Sequence, residues 1–358
     1  MTNLQRLREF LQINDYTGVI LGRQDNYLWL TEGDRNEILT ATEMGVAYLV
    51  VTADELLLVA DVSDARRMNE EQNRLGAKMV EVPWEVGVVP FLTEYCEGRR
   101  MMSDCGVLDT PNIEAQLVEL RLDLREEDIE HYREIGKQMA EIVEEVIVNS
   151  RPGETEKSVA TRLEKMCLSA GVAPDCVLVG SDERINKFRH PAPTDKAIEK
   201  TLMIVLGGEK YGLYISLTRM VCFGEVPAEL AEKMKGVQYI FAGMQGLLEA
   251  GKKYQDYFSE VIHLYEEAGY AGEWRLHHQG GPTGYACREI VVSETTPGAM
   301  QAGYVFAWNP TITGTKCEDT TYLNENGVEN FTDSGKWPRT TVKTPYGTFG
   351  AADIKVIN

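Results

Sequence analysis

Two adjacent histidines open the stretch HHQGGPTGY, residues 277–285. Histidine is both the commonest metal ligand and the usual proton shuttle near neutral pH, so His277 and His278 could serve either chemistry. In an extended segment they would point in different directions, one toward a cleft and one into packing. Gly280, Gly281 and Gly284 follow, permitting close backbone approach or positive φ. A further histidine, His190, stands in KFRHPAP, and its ordinary pKa near 6.5 suits general acid–base work. Near the C-terminus, KCEDT places Lys316 beside Glu318. The cation would keep that carboxylate ionised and leave it able to hold a substrate ammonium or guanidinium; the alternative is a carboxylate that only stabilises the fold. Ser216 and Thr218 share one strand face by the period-two rule and offer neutral oxygens. Arg219 and Arg288 are each suited to grip a carboxylate, or to pair with an internal glutamate instead. Asn309 completes the candidate floor.

The rest of the chain bounds what these groups can serve. A length of 358 residues allows two domains and a large core. Apolar content of 43% and charged content of 26% are ordinary for a soluble globular protein. Against 36 basic residues stand 56 acidic ones, a net charge of −20, which argues against a surface built to bind nucleic-acid phosphate. No apolar run approaches the roughly 18 residues of a membrane helix. The opening MTNLQRLREFLQIN is amphipathic and charged, without the apolar core of a signal peptide. The 7 cysteines are scattered singly, which suits free thiols in a reducing cytoplasm better than a disulfide framework.

The elements that must position the candidate groups read as α+β. Residues 1–122 alternate helix and strand: LQRLREFLQIN and DVSDARRMNEEQNRLG are helical, whereas TGVILG, YLVVTADELLLVAD and AKMVEV are strand-like. Residues 123–358 contain a duplication. REEDIEHYREIGKQMAEIVEEVIVNS and KSVATRLEKMCLSAG form one helix pair, followed by the strands DCVLVG, LMIVLGG and YGLYISLTRMVCFG. PAELAEKMKGVQYIFAGMQGLLEAG and KKYQDYFSEVIHLYEEAG form a second pair, followed by REIVVS, YVFAWNP and KCEDTTYLN. Two such units can bury their helices on one side of a shared, curved antiparallel sheet and leave its other face as a concave floor.

Five landmarks then resemble one family: RHPAPTDK (189–196), LGGEKYGLYISLTR (206–219), HHQGGPTGY, TPGAMQAGYVFAWNP (296–310) and GTKCEDTTYL (314–323). They are similar to the pita-bread fold of creatinase, prolidase and the Xaa-Pro and methionine aminopeptidases. The resemblance implies a creatinase-type N-terminal domain, a pita-bread catalytic domain, a homodimer and a small-molecule or dipeptide-like substrate. Peptidases of this family hold two divalent cations with two aspartates, a histidine and two glutamates. At the matching positions this chain has Val205, Ser216, Gly281, Asn309 and Glu318, so only the last carboxylate is kept. Two dications in a partly buried cleft need several anionic oxygens, and zinc needs three or four N, S or carboxylate ligands. The resemblance therefore implies no metal at the family position and no other cofactor.

By the same likeness, His190 matches the proton-shuttling histidine of creatinase, which also lacks metal. The expected function is a metal-independent hydrolase of a C–N bond in a small polar nitrogenous substrate, with His190, His278 and Glu318 catalytic. Substrate would be bound by His277, Ser216, Thr218, Arg219, Arg288, Asn309 and Lys316. Creatine itself is doubtful, since the glutamates creatinase uses align with Thr218 and Asn309. The alternatives are an Xaa-Pro dipeptidase with an atypical metal site using His190, His277, His278 and Glu318, and a non-catalytic peptide-binding module.

Overall fold

In the computed structural model, which describes residues 1–358, the chain forms two compact units, Met1–Asp123 and Leu124–Asn358. The first is a five-stranded sheet of order β4-β3-β2-β1-β5. Its strands are β1 (Gly18–Arg23), β2 (Met44–Thr52), β3 (Leu56–Asp61), β4 (Lys78–Val82) and β5 (Met101–Ser103). Its helices are α1 (Asn3–Ile13), α2 (Gln24–Thr31), α3 (Ala65–Glu71), α4 (Val89–Cys96) and α5 (Glu114–Leu122). Consecutive Val19, Ile20 and Leu21 are all buried, as expected of a central strand covered on both faces. Helix α2, QDNYLWLT, has no amphipathic stripe to betray it, because Asn26 through Thr31 are all buried. Helix α3 is shorter than its sequence suggests. It stops at Glu71 because the carbonyl of Gln72 accepts from the Tyr27 hydroxyl and the Gln72 side chain accepts from the Arg35 amide.

The second unit begins with α6 (Glu126–Val148), α7 (Glu156–Ser169), β6 (Ala173–Ser181), a short α8 (Glu183–Lys187), β7 (Thr201–Lys210) and β8 (Leu213–Phe223). The pattern then repeats with α9 (Ala228–Gly246), α10 (Tyr254–Glu267), β9 (Gly280–Thr283), β10 (Val305–Trp308) and the two-residue strands β11 (Thr311–Ile312) and β12 (Thr315–Lys316). β13 (Asp319–Asn324), β14 (Gly327–Asn330), β15 (Arg339–Thr344), β16 (Gly347–Ala352) and β17 (Lys355–Ile357) complete the chain. Helix α6 buries Ile129, Tyr132, Ile135, Met139, Ile142, Val143 and Val146, its apolar stripe at helical spacing. It packs on β8, and α7 packs on β6.

The expected curved sheet is assembled from two four-stranded ladders rather than one, β17-β8-β7-β6 and β14-β13-β10-β9. They are joined along β8, where the Thr218 amide donates to the Glu318 carbonyl at 3.0 Å, the Tyr214 amide to the Gly284 carbonyl at 3.0 Å and the Ser216 amide to the Thr320 hydroxyl at 2.9 Å. Two further departures stand out. REIVVS is not a strand; it makes only isolated bonds to β9, from Glu289 N to Pro282 O and from Val292 N to Gly280 O. Helix α9 is covered by the β15–β16 hairpin, a second contribution of the C-terminal segment that hydrophobic period alone did not mark. No helix is long and apolar enough to cross a membrane.

Candidate functional site

The Thr218–Glu318 bridge between the two sheets also builds the site. It places Thr218 of β8 beside Glu318, and the Thr218 Oγ1 hydroxyl donates to Glu318 Oε2 at 2.7 Å. Lys316, the last residue of β12, reaches the same oxygen with Nζ at 2.9 Å. Arg288, just beyond the glycine loop, donates Nη2 to Glu318 Oε1 at 3.2 Å. Its Nη1 donates to the Ser216 hydroxyl at 3.1 Å and to its neighbouring carbonyl at Cys287. Ser216 and Thr218 thus use the same face of β8, one holding the arginine and the other the carboxylate. Glu318 is only 3% exposed. Burial by itself would raise its carboxyl, but Lys316 and Arg288 outweigh it and hold the group below its ordinary range. The expectation that Glu318 is free to hold a substrate ammonium is corrected: both its oxygens already accept from internal donors.

The three histidines lie within the field of Lys316. His190 Nε2 and His277 Nε2 are 2.8 Å apart, and His277 Nδ1 is 2.5 Å from the carbonyl of His278. A carbonyl only accepts, so His277 carries its proton on Nδ1 and a lone pair on Nε2. His190 must then donate from Nε2, which leaves its Nδ1 as the one basic nitrogen of the pair. His277 and His278 do not diverge as expected; their rings stack at 4.4 Å with planes 25° apart. The reason is the bond from the His277 ring to the His278 carbonyl, which folds the ring back along the chain.

Desolvation, then Lys316, then the neighbouring imidazoles drive the His277 pKa from 6.5 down to about 3. For His278, desolvation followed by Arg288 and Lys316 brings it to about 4. Both rings are therefore neutral at pH 7, and the linkage sign is clear. Between the unfolded value near 6.5 and the folded values, the unfolded chain binds more protons, so stability falls with falling pH across that window. Thermal melts from pH 7 to pH 3 will show this loss, and His277→Gln will flatten the part due to His277.

A clasp that sequence reasoning missed holds the histidines in register with Lys316. Arg189 Nη2 donates to Glu273 Oε2 at 2.7 Å and to Thr313 Oγ1 at 2.8 Å. The amide and hydroxyl of Thr313 both donate to Glu273 at 2.8 Å. Three segments are tied together: the loop bearing His190, the turn before His277 and the hairpin ending at Lys316. The available signal was the arginine directly preceding His190. Asn309 is buried on the floor, and its Oδ1 has no hydrogen-bond partner. Arg219 is a correction. It is fully buried and turned out of the cleft, with Nη1 on Asp319 at 2.8 Å, Nη2 on the Thr332 carbonyl at 2.6 Å and Nε on Glu144 at 3.5 Å. Asp319 lies next to Glu318 on an extended segment, so its partner lies on the opposite face.

This arrangement defines a pita-bread protein of the creatinase and prolidase type. The chain belongs to metallopeptidase family M24, whose model matches residues 130–330. It is 22% identical over 352 residues to the Xaa-Pro dipeptidase of Pyrococcus furiosus, covering 92% of this chain and 97% of that protein. Among solved structures it superposes on an Xaa-Pro dipeptidase from Bacillus anthracis with a TM-score of 0.77, 17% identity and 99% of each chain covered. An X-Pro aminopeptidase from Thermotoga maritima matches with a TM-score of 0.75, 18% identity and all of both chains covered.

The family name implies metal, and the residues present do not fit a metal pair. No group of three or more His, Cys, Asp or Glu side chains is arranged to hold an ion. Glu318 is clasped by two cations and a hydroxyl. A side chain at Gly281, where the likeness places a histidine ligand, would put its Cβ 2.1 Å from the Ile290 carbonyl oxygen.

Proposed function

We propose that the protein hydrolyses a C–N bond in a small polar, dipeptide-like substrate without the family's metal pair, using fixed side-chain cations and a histidine base. The observation that carries this reading is the Lys316–Glu318–Arg288 cluster, with Lys316 Nζ 2.9 Å from a carboxylate that also accepts from Arg288. Preorganised positive charge where negative charge develops is the largest single contribution in many hydrolases. In the proposed reaction, Nδ1 of His190 takes a proton from water as the water oxygen adds to the carbonyl carbon. Lys316, backed by Arg288, stabilises the negative charge that grows on the carbonyl oxygen. His190 then returns the proton to the leaving nitrogen as the C–N bond breaks, giving an acid and an amine. Glu318 anchors the two cations and takes no proton. His278, Ser216 and Thr218 shape the wall. The reading includes a cytoplasmic homodimer, drawn from the family likeness and the scattered thiols.

The test is turnover of Xaa-Pro dipeptides, other dipeptides, ureas and amidines by full-length protein dialysed against a chelator. Hydrolysis of at least one class is expected to survive dialysis and to be unchanged by added Mn, Co or Zn, with less than stoichiometric metal in elemental analysis. A second reading is favoured by the family match and by the Xaa-Pro dipeptidase relatives: an Xaa-Pro dipeptidase with an atypical metal site. Stoichiometric metal, and Xaa-Pro turnover lost on chelation and restored by metal, would establish that reading and overturn the first.

A further inference from the structure

Charge at the site does not balance. Lys316 and Arg288 are cations with side chains 4% and 11% exposed, and between them stands one carboxylate, Glu318. The three imidazoles nearby contribute no compensating charge. Asp319, the next residue along, already meets Arg219 and Arg339 on the other face. Asp175, whose field reaches Cys287, stands exposed on β6. An excess positive charge in a largely desolvated place is unfavourable unless an anion completes it. Lys316 also has spare donors: of the three an ammonium offers, the contact with Glu318 uses one.

We infer that the site takes a small ligand bearing a single carboxylate, seated on Lys316, and that it rejects amines and guanidines. This deepens the hydrolase reading and rests on the same cluster. An acid released by C–N cleavage carries such a carboxylate, so the acid product would occupy the position of the growing oxyanion and compete with fresh substrate. The sign of recognition is thus opposite to that expected of a free Glu318. The complement is a monoanion, because one added negative charge neutralises the cluster.

The experiment uses the full chain with ¹⁵N-labelled histidine, and acetate and methylammonium as probes. Acetate is expected to shift the His190 and His277 resonances saturably, and methylammonium to leave them unmoved. Lys316→Met should weaken acetate binding about tenfold or more, the scale of one hydrogen bond to a charged group, and Lys316→Arg should keep it. If Lys316→Met does not fold, the comparison of acetate with methylammonium on the native chain and on Lys316→Arg still decides. Saturable methylammonium binding without acetate binding overturns the inference, as does equal acetate binding by Lys316→Met. Acetate binding by a protein that hydrolyses nothing supports the inference while removing the hydrolase reading. Hydrolysis with no acetate binding does the reverse.

Discussion

Glu318→Ala will destabilise the protein by about 3–5 kcal/mol, the usual cost of removing one partner from a buried ion cluster. The substitution leaves Lys316 and Arg288 close together and without a counter-charge, and it removes the acceptor for the Thr218 hydroxyl. It also falls at a bridge between the two sheets. A domain's whole stability is roughly 5–15 kcal/mol, so the second unit would lose a large share of its margin. Denaturant midpoints measure the effect. Glu318→Gln keeps the shape and loses the charge, and it should fall nearly as far. Adding Lys316→Met to Glu318→Gln should recover part of the loss, because one stranded cation is removed with its penalty. A loss under about 1 kcal/mol for Glu318→Ala, the range of an exposed pair, would mean that the cluster is hydrated rather than buried.

His190→Ala will lower kcat/KM on the hydrolysed substrate by roughly 10²–10⁴, the range for a positioned acid–base group. His190 is exposed and its one side-chain hydrogen bond is to His277, so the same change should move stability by no more than about 1.5 kcal/mol. The separation of a large kinetic effect from a small thermodynamic one is what distinguishes a shuttle from a structural histidine. The pH profile adds a second signature. Desolvation first, and Lys316 next, lower the His190 pKa from 6.5, so the base form persists to lower pH than in a free imidazole. The acid limb of kcat/KM should therefore lie below pH 6.5 in the native enzyme and be absent from whatever residual rate the variant shows. An acid limb that is unchanged in His190→Ala would assign the titration to another group.

Much of this was legible in the residues, for identifiable reasons. The stripe on α6 and the aliphatic runs of β1, β7 and β8 reflect burial, and burial imposes a period that a reader can count. The duplicated helix pairs gave the layout of the second unit. Helix α2 escaped because it is buried almost all round, which erases the stripe. REIVVS misled because β-forming composition does not guarantee a partner strand. At the site, the place of Lys316 beside Glu318 was visible, but not that Arg288 would join them from another segment. That meeting depends on the bonds that join the two sheets along β8 and on the course of a glycine loop, both non-local. The case of Arg219 has a similar origin: the residues left open whether it grips a substrate carboxylate or pairs with an internal acid, and its pairing with Asp319 and Glu144 depends on segments far along the chain.

Gly281 sets a condition on any attempt to build the family's metal centre into this chain. A family-type imidazole returned to position 281 would first collide with the Ile290 carbonyl at 2.1 Å. A carboxylate returned to Val205, opposite Thr218 on the neighbouring strand, would still find Glu318 paired with resident cations. Backbone and charge would have to change together before this floor could hold a pair of cations, so a ligand side chain introduced at either position alone is expected to leave the protein without bound metal.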